Sequence, residues 1–298
     1  MELRVLNYFL AVAREQNISA AAESLHLSQP TLSRQLKELE EELGKQLFIR
    51  GNRKITLTDE GMILRKRAEE ISELVRKTED EITQSDETVA GNIYIGAGET
   101  DAVRLIAKAA KKIQEQYPLI RIHIMSGDAV TVTEQLDSGL ADFCLVFGEI
   151  DMTRYDGVSV PAKDTWGVLM RKDSSLAQQD SIEAKDLWDK PLIVSRQAID
   201  GEQLQNWLVR DKDKLDIAAT YTLLYNGSIM VEEGMGYALG IDKLINTTGD
   251  STLTFRPFSP PLEMRTHIIW KKYQVLTKAA SLFLQILRET AEEERPEQ

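Results

Sequence analysis

The chain has 298 residues, 42% apolar and 28% charged, with a net charge of −12, the composition of a globular protein long enough for a small head and a full-sized second unit. The acidic balance excludes a general nucleic-acid coat, and no apolar run reaches the roughly 20 residues that a membrane-spanning helix needs. One cysteine, Cys144, excludes an internal disulfide and fits a reducing cytoplasm, and the apolar start Leu6–Ala13 lacks the small-residue cleavage site of a secretory signal.

Leu3, Leu6, Leu10 and Ala13 predict a first amphipathic helix. A second follows, with Ser19 as its expected cap, Glu23 in its first turns and the small Ala20, Ala21 and Ala22 allowing close helix approach. Ser28 is the expected N-cap of a third helix, because Pro30 is tolerated only in a first turn. Leu32, Leu36, Leu39 and Leu43 fall on one face of it. Pro30, Arg34 and Lys37 fall opposite, Thr31 and Ser33 flank them, and Gly44 ends the helix. Phe48 to Ile55 reads as strand, Gly-Asn turn, strand, and no acidic residue occurs between Lys45 and Thr58. Helix, tight turn, helix and basic ribbon make a winged helix-turn-helix that enters a DNA major groove. Gln29, Pro30, Thr31 and Arg34 are the expected base contacts, and Ser33, Lys37, Arg50, Arg53 and Lys54 the expected phosphate contacts. Glu40, Glu41 and Glu42 are discordant there and are read as solvated or paired with Arg50. Residues 1–58 carry a net +1 and the remainder −13, so the body should repel DNA while the head docks by focused contacts.

Thr58 should cap a long helix within residues 59–90, with Asp59 and Glu60 at its positive end. Leu64, Ala68, Ile71, Val75, Thr78 and Ile82 repeat at heptad spacing, which reads as a seam between two chains; packing on the helix's own domain is the alternative.

From residue 91 to 298 apolar strands alternate with amphipathic helices, the pattern of a mainly parallel sheet covered on both faces. Two such sets predict two lobes, with a cleft between them. Ligands in such sheets bind beyond the carboxyl ends of strands. That rule puts forward Thr100, Asp101, Ser126, Asp128, Phe147, Ser195, Arg196 and Asn226 as effector contacts, with Asn226-Gly227-Ser228 opening a helix. An acidic lining from Glu99, Asp101 and Asp128 would suit a cationic or polyhydroxylated ligand, and Arg196 a carboxylate.

The run Ala20-Ala21-Ala22…Leu27-Ser28-Gln29-Pro30…Leu32-Ser33…Leu39-Glu40…Leu43-Gly44…Leu47-Phe48…Arg50…Leu57-Thr58…Gly61 resembles the N-terminal signature of the LysR-type transcriptional regulators, and a weaker likeness extends over the whole chain. The resemblance implies an α/β chain with an N-terminal winged helix-turn-helix (1–58), a linker helix pairing two chains (59–90) and a two-lobed, periplasmic-binding-protein-like domain (91–298). Lobe I would be 91–161 and 266–298 and lobe II 162–265, with crossovers near Val160-Pro161 and Met264–Thr266. It implies that Thr100 and Ser195 match positions whose hydroxyls bind effector. The implied partners are double-stranded DNA with a dyad operator, a small-molecule effector of unknown identity and a second copy of the chain, as dimer or tetramer. RNA polymerase is left open as a further partner, and no membrane is implied.

No catalytic constellation is read. His26, His123 and His267 lack metal-ligand spacing, Cys144 lies in a buried-looking strand, and there is neither a phosphate loop nor a nucleophile elbow. The expectation is therefore a cytoplasmic, ligand-switched regulator without cofactor or metal. A binding protein that does not regulate transcription and an enzyme using the cleft are the rivals.

Overall fold

The computed structural model describes residues 1–51, 54–83 and 89–295. The chain divides into two units, Met1–Gln84 and Ser85–Gln298.

The first unit holds α1 (Leu3–Glu15), α2 (Ile18–Ser24), α3 (Gln29–Leu43), a hairpin of β1 (Phe48–Arg50) and β2 (Ile55–Leu57), and α4 (Asp59–Thr83). Asn17, not Ser19, caps α2: its side-chain oxygen accepts from the Ser19 and Ala20 amides at 2.9 and 3.1 Å. The helix starts at Ile18, which puts Ser19 inside the first turn, past the cap position. Ser28 caps α3 by accepting from the Thr31 amide, and Gly44 ends it in the left-handed conformation at φ +63°. Leu32, Leu36 and Leu39 are buried with Phe9, Val12, Ala21 and Phe48, while Leu43, expected beside them, is half out at 40% exposure. Thr58 caps α4 through the Gly61 amide at 3.0 Å.

The second unit contains β3 (Ala90–Ala97), α5 (Val103–Gln116), β4 (Leu119–Ser126), α6 (Ala129–Asp137), β5 (Phe143–Phe147), β6 (Tyr155–Arg171), β7 (Ile182–Glu183), β8 (Leu192–Ser195), α7 (Glu202–Leu208), β9 (Ile217–Tyr221), α8 (Leu224–Glu232), β10 (Tyr237–Ile241), β11 (Leu253–Ser259), β12 (Glu263–Lys271) and α9 (Lys278–Glu293). The strand path runs β4-β3-β5-β12-β6-β10-β8-β9. Within each lobe the strands are parallel: β3 with β4 and β5, and β8 with β9 and β10. The long β6 and β12 pair antiparallel with each other and join the lobes, β12 meeting β5 on one side and β6 meeting β10 on the other. Their register shifts between Arg265 and His267, opposite Ser159 to Lys163. Such an irregularity bends a strand pair, and it falls where the crossovers were expected. One face of lobe I packs on α5 and α9 and the other on α6; lobe II has a core on each face of its sheet.

Helix α8 differs from the sequence reading. It opens at Leu224, four residues before Ser228, so Asn226 and Gly227 lie inside it. Leu223 offers no side-chain cap, and the capping group comes from Glu99 in lobe I, 125 positions away. A Cβ at Gly227 would stand 3.0 Å from the Tyr221 ring, so a larger residue there would require the ring to give by a few tenths of an ångström.

Candidate functional site

Helix α3 turns its leucines inward and leaves Gln29, Pro30, Thr31, Arg34 and Lys37 exposed, with Ser33 partly so. Arg34 is paired with Glu38 at 3.7 Å and Lys37 with Glu41 at 3.2 Å, one turn on. Both cations are about 71% exposed, and exposed pairs of this kind contribute little, so both can exchange a carboxylate for DNA. Glu40 is partly buried and engaged by backbone amides; the Arg50 side chain, its other expected partner, lies outside the described residues. The Glu40 Oε1 accepts from the Leu47 and Phe48 amides at 2.8 and 3.2 Å, tying the base of the hairpin to α3. Glu42 pairs with the N-terminal amine at 2.5 Å. Lys54 is exposed at the hairpin tip, where the Gly51 amide donates to its carbonyl at 3.1 Å; Arg50 ends β1, and Arg53 lies outside the described residues. His26 occupies the turn between α2 and α3 with φ +55° and is exposed.

The expected row on α4 splits. Ala68 is fully buried and Leu64 partly so in the head's own core. Ile71 and Ile82 are exposed, and with Ile63 and Leu74 they form an apolar stripe on one face.

Between the lobes of the second unit lies a cavity of about 680 Å³. Of the expected contacts, Asp128, Phe147, Ser195 and Arg196 line it; Thr100, Asp101, Ser126 and Asn226 do not. Thr100 is buried, with its hydroxyl 2.7 and 2.8 Å from the two carboxylate oxygens of Asp164, and the Thr266 hydroxyl donates to the same carboxylate at 2.6 Å. Thr100 thus braces the crossover rather than facing a ligand. Asp101 pairs with Arg104 at 2.6 Å, Ser126 is exposed at the end of β4, and Asn226 is exposed on α8. Among the described residues two hydrogen bonds cross the cleft, each from a helix N-terminus: the Leu224 amide donates to Glu99 at 2.5 Å, and the Ala129 amide to Gln197 Oε1 at 3.3 Å.

Two family models match: a bacterial regulatory helix-turn-helix protein of the lysR family over residues 3–62, and a LysR substrate binding domain over residues 86–292. The chain belongs to the LysR family. It is thus a DNA-binding transcriptional regulator with an effector-binding domain. The HTH-type transcriptional regulator BsdA of Bacillus subtilis is 29% identical over 294 residues, 96% of this chain and 100% of that one. The DNA-binding transcriptional dual regulator OxyR of Escherichia coli is 29% identical over 65% of this chain and 63% of its own. Full-length CbnR, solved with its target DNA, superposes with a TM-score of 0.73 over 97% of this chain and 100% of that chain at 18% identity, a likeness of fold.

Several lining residues of this LysR-family chain escaped the sequence reading. Trp166, Tyr221, Gln197 and Met264 all line the cavity. Tyr221 ends β9, where the strand-end rule applies, but it reads equally as strand core. Its hydroxyl donates to the Leu239 carbonyl at 2.6 Å, and burial, then the Glu99 charge, pushes its pKa up. Asp128 caps α6, and the hydrogen bonds from Thr131 hold its carboxyl below the usual range, with Arg196 adding to the effect. Cys144 is fully buried, donates to the Val132 carbonyl at 2.9 Å, and is pushed up to about 12, first by burial and then by the charge of Asp137. No helix among the described residues is long and apolar enough to cross a membrane, and no cluster of three or more metal-ligating side chains occurs among them.

Proposed function

We propose that two copies of this chain, joined through the exposed stripe of α4, read a dyad operator in the cytoplasm, and that a small molecule in the cleft resets the distance between their heads. The observation that carries the reading is α3. Its leucines are committed to the core while Gln29, Pro30, Thr31 and Arg34 stand exposed beside a capped N-terminus. Arg34 suits a guanine by its bidentate fork, and Ser33, Lys37, Arg50, Arg53 and Lys54 would hold phosphates. Asp128, Phe147, Ser195 and Arg196 face the effector. The cleft lies between strand ends and helix N-termini, and its volume falls in the range of small-molecule sites.

Three relatives carry the name hydrogen peroxide-inducible genes activator. Cys144 is a poor peroxide sensor, because the thiolate is the reactive form, and this cysteine is buried with its pKa pushed up to about 12. A ligand in the cleft is the better switch.

The test is a gel shift on DNA upstream of the chain's own gene, for the unaltered protein and for Arg34→Ala. The substitution should cost about 1–3 kcal/mol on the specific site and little on random DNA. An equal loss on both would demote Arg34 to a phosphate contact, and no shift with any upstream fragment would sink the regulator reading for that site.

A further inference from the structure

We propose that the effector is an organic ammonium: a largely apolar body whose cationic head seats on the Glu99 carboxylate. The proposal rests on the reading of the cleft as the effector site and adds the chemistry of its occupant.

The charged side chains on the cavity wall are Glu99, Asp128, Asp200, Glu202 and a single cation, Arg196. Asp128 is taken up as the cap of α6 and faces the Arg196 charge, and Asp200 is held by Lys212 at 2.5 Å. Glu99 differs. It is partly buried, accepts one hydrogen bond, from the Leu224 amide, and has no cation beside it among the described residues. A carboxylate offers about four lone-pair sites, so most of its accepting capacity faces the cavity. The α8 N-terminus offers Glu99 only a partial positive charge, and an incoming ammonium adds a full counter-charge and further hydrogen bonds.

An anionic ligand meets the opposite situation. Helix N-termini draw anions, and three open on this cleft, those of α6, α8 and the seven-residue α7. Those of α6 and α8 already carry a carboxylate of the chain itself, Asp128 and Glu99, and the short α7 opens with Glu202 in its first turn. An anion at α6 or α8 would have to displace one of these carboxylates, and one at α7 would face Glu202. The remaining wall is largely apolar, with Phe147, Trp166 and Tyr221 as aromatic faces. The Tyr221 hydroxyl is committed to Leu239, so Tyr221 offers its ring. Aromatic faces next to a carboxylate are a favourable setting for an ammonium on an apolar stem.

Matched probes on the full chain test this by calorimetry: 2-phenylethylammonium, 2-phenylethanol and 3-phenylpropionate, with the indole-bearing equivalents as a larger set. The ammonium should bind about tenfold tighter or more than the carboxylate of the same skeleton. Glu99→Gln, which keeps an acceptor for the Leu224 amide, should erase that preference. Gly98→Leu should block every probe. A Cβ at Gly98 would stand 3.4 Å from the Phe147 ring and 3.7 Å from the Gly127 carbonyl, so the backbone accepts it and the rest of the side chain fills the cavity. The probe comparison on the unaltered chain requires no variant to fold. Preference for the carboxylates, or no ammonium bound at millimolar concentration, overturns the proposal. Carboxylate binding that Gly98→Leu abolishes leaves the cleft as the effector site with a different occupant; binding that Gly98→Leu leaves untouched removes the cleft reading as well.

Discussion

Single side chains here divide by the reach of their partners. Asp164 is buried at the crossover and receives the hydroxyls of Thr100 and Thr266, which come from 64 residues before it and 102 after it. A buried carboxylate that loses one donor keeps its desolvation cost without the compensating bond. Thr100→Val should therefore lower the stability of the second unit by about 1–3 kcal/mol, the range for leaving such a group short of a partner. Urea unfolding followed by tryptophan fluorescence measures it, since all four tryptophans lie in that unit. A Thr100→Val chain of unchanged stability that no longer binds the probes would return Thr100 to the ligand. Caps such as Ser28 and Thr58 were legible because a cap and its amide are three residues apart. The roles of Thr100 and Glu40 were not, because their partners are brought together only by the completed fold.

At the scale of elements, α4 serves two purposes that one periodic row could not separate. Leu64 and Ala68 close the head's core, so their place in a heptad pattern reflects packing within the chain. The stripe of Ile63, Ile71, Leu74 and Ile82 is left exposed, with Ile71 at 38% and Ile82 at 78%. Burying such a stripe against its copy is worth about 25 cal/mol per Å² of apolar surface, and a charge placed in it would be desolvated without a partner. Ile71→Asp should shift the chain to monomer in sedimentation-velocity runs and abolish operator binding; a dimer of unchanged strength would move the interface elsewhere. The parallel strands and covering helices of both lobes followed from apolar alternation, a local pattern. The start of α8 did not, because its cap lies in the other lobe. Trp166 and Tyr221 were hidden for a related reason: one apolar strand residue faces a core and another a ligand, and nothing local distinguishes them.

For the molecule as a whole, the distribution of charge decides how it meets DNA. The first 58 residues carry +1 and the remainder −13, so the attraction must come from a few cations on α3 and the hairpin and not from the overall field. Each phosphate neutralised releases condensed counterions, and affinity then falls linearly on a log–log plot against salt, with a slope of about −0.9 per contact. Repulsion by the acidic remainder works the other way, because salt screens it over a Debye length of about 8 Å at physiological strength. The slope should therefore be shallower than the phosphate count alone would give, and the change on deleting one contact is the cleaner quantity. Lys37 is exposed on α3 with only the weak Glu41 pair to give up. Lys37→Ala should flatten the slope by about one per head and weaken binding to operator and random DNA alike. Loss confined to the operator, with the slope unchanged, would make Lys37 a reader of bases instead.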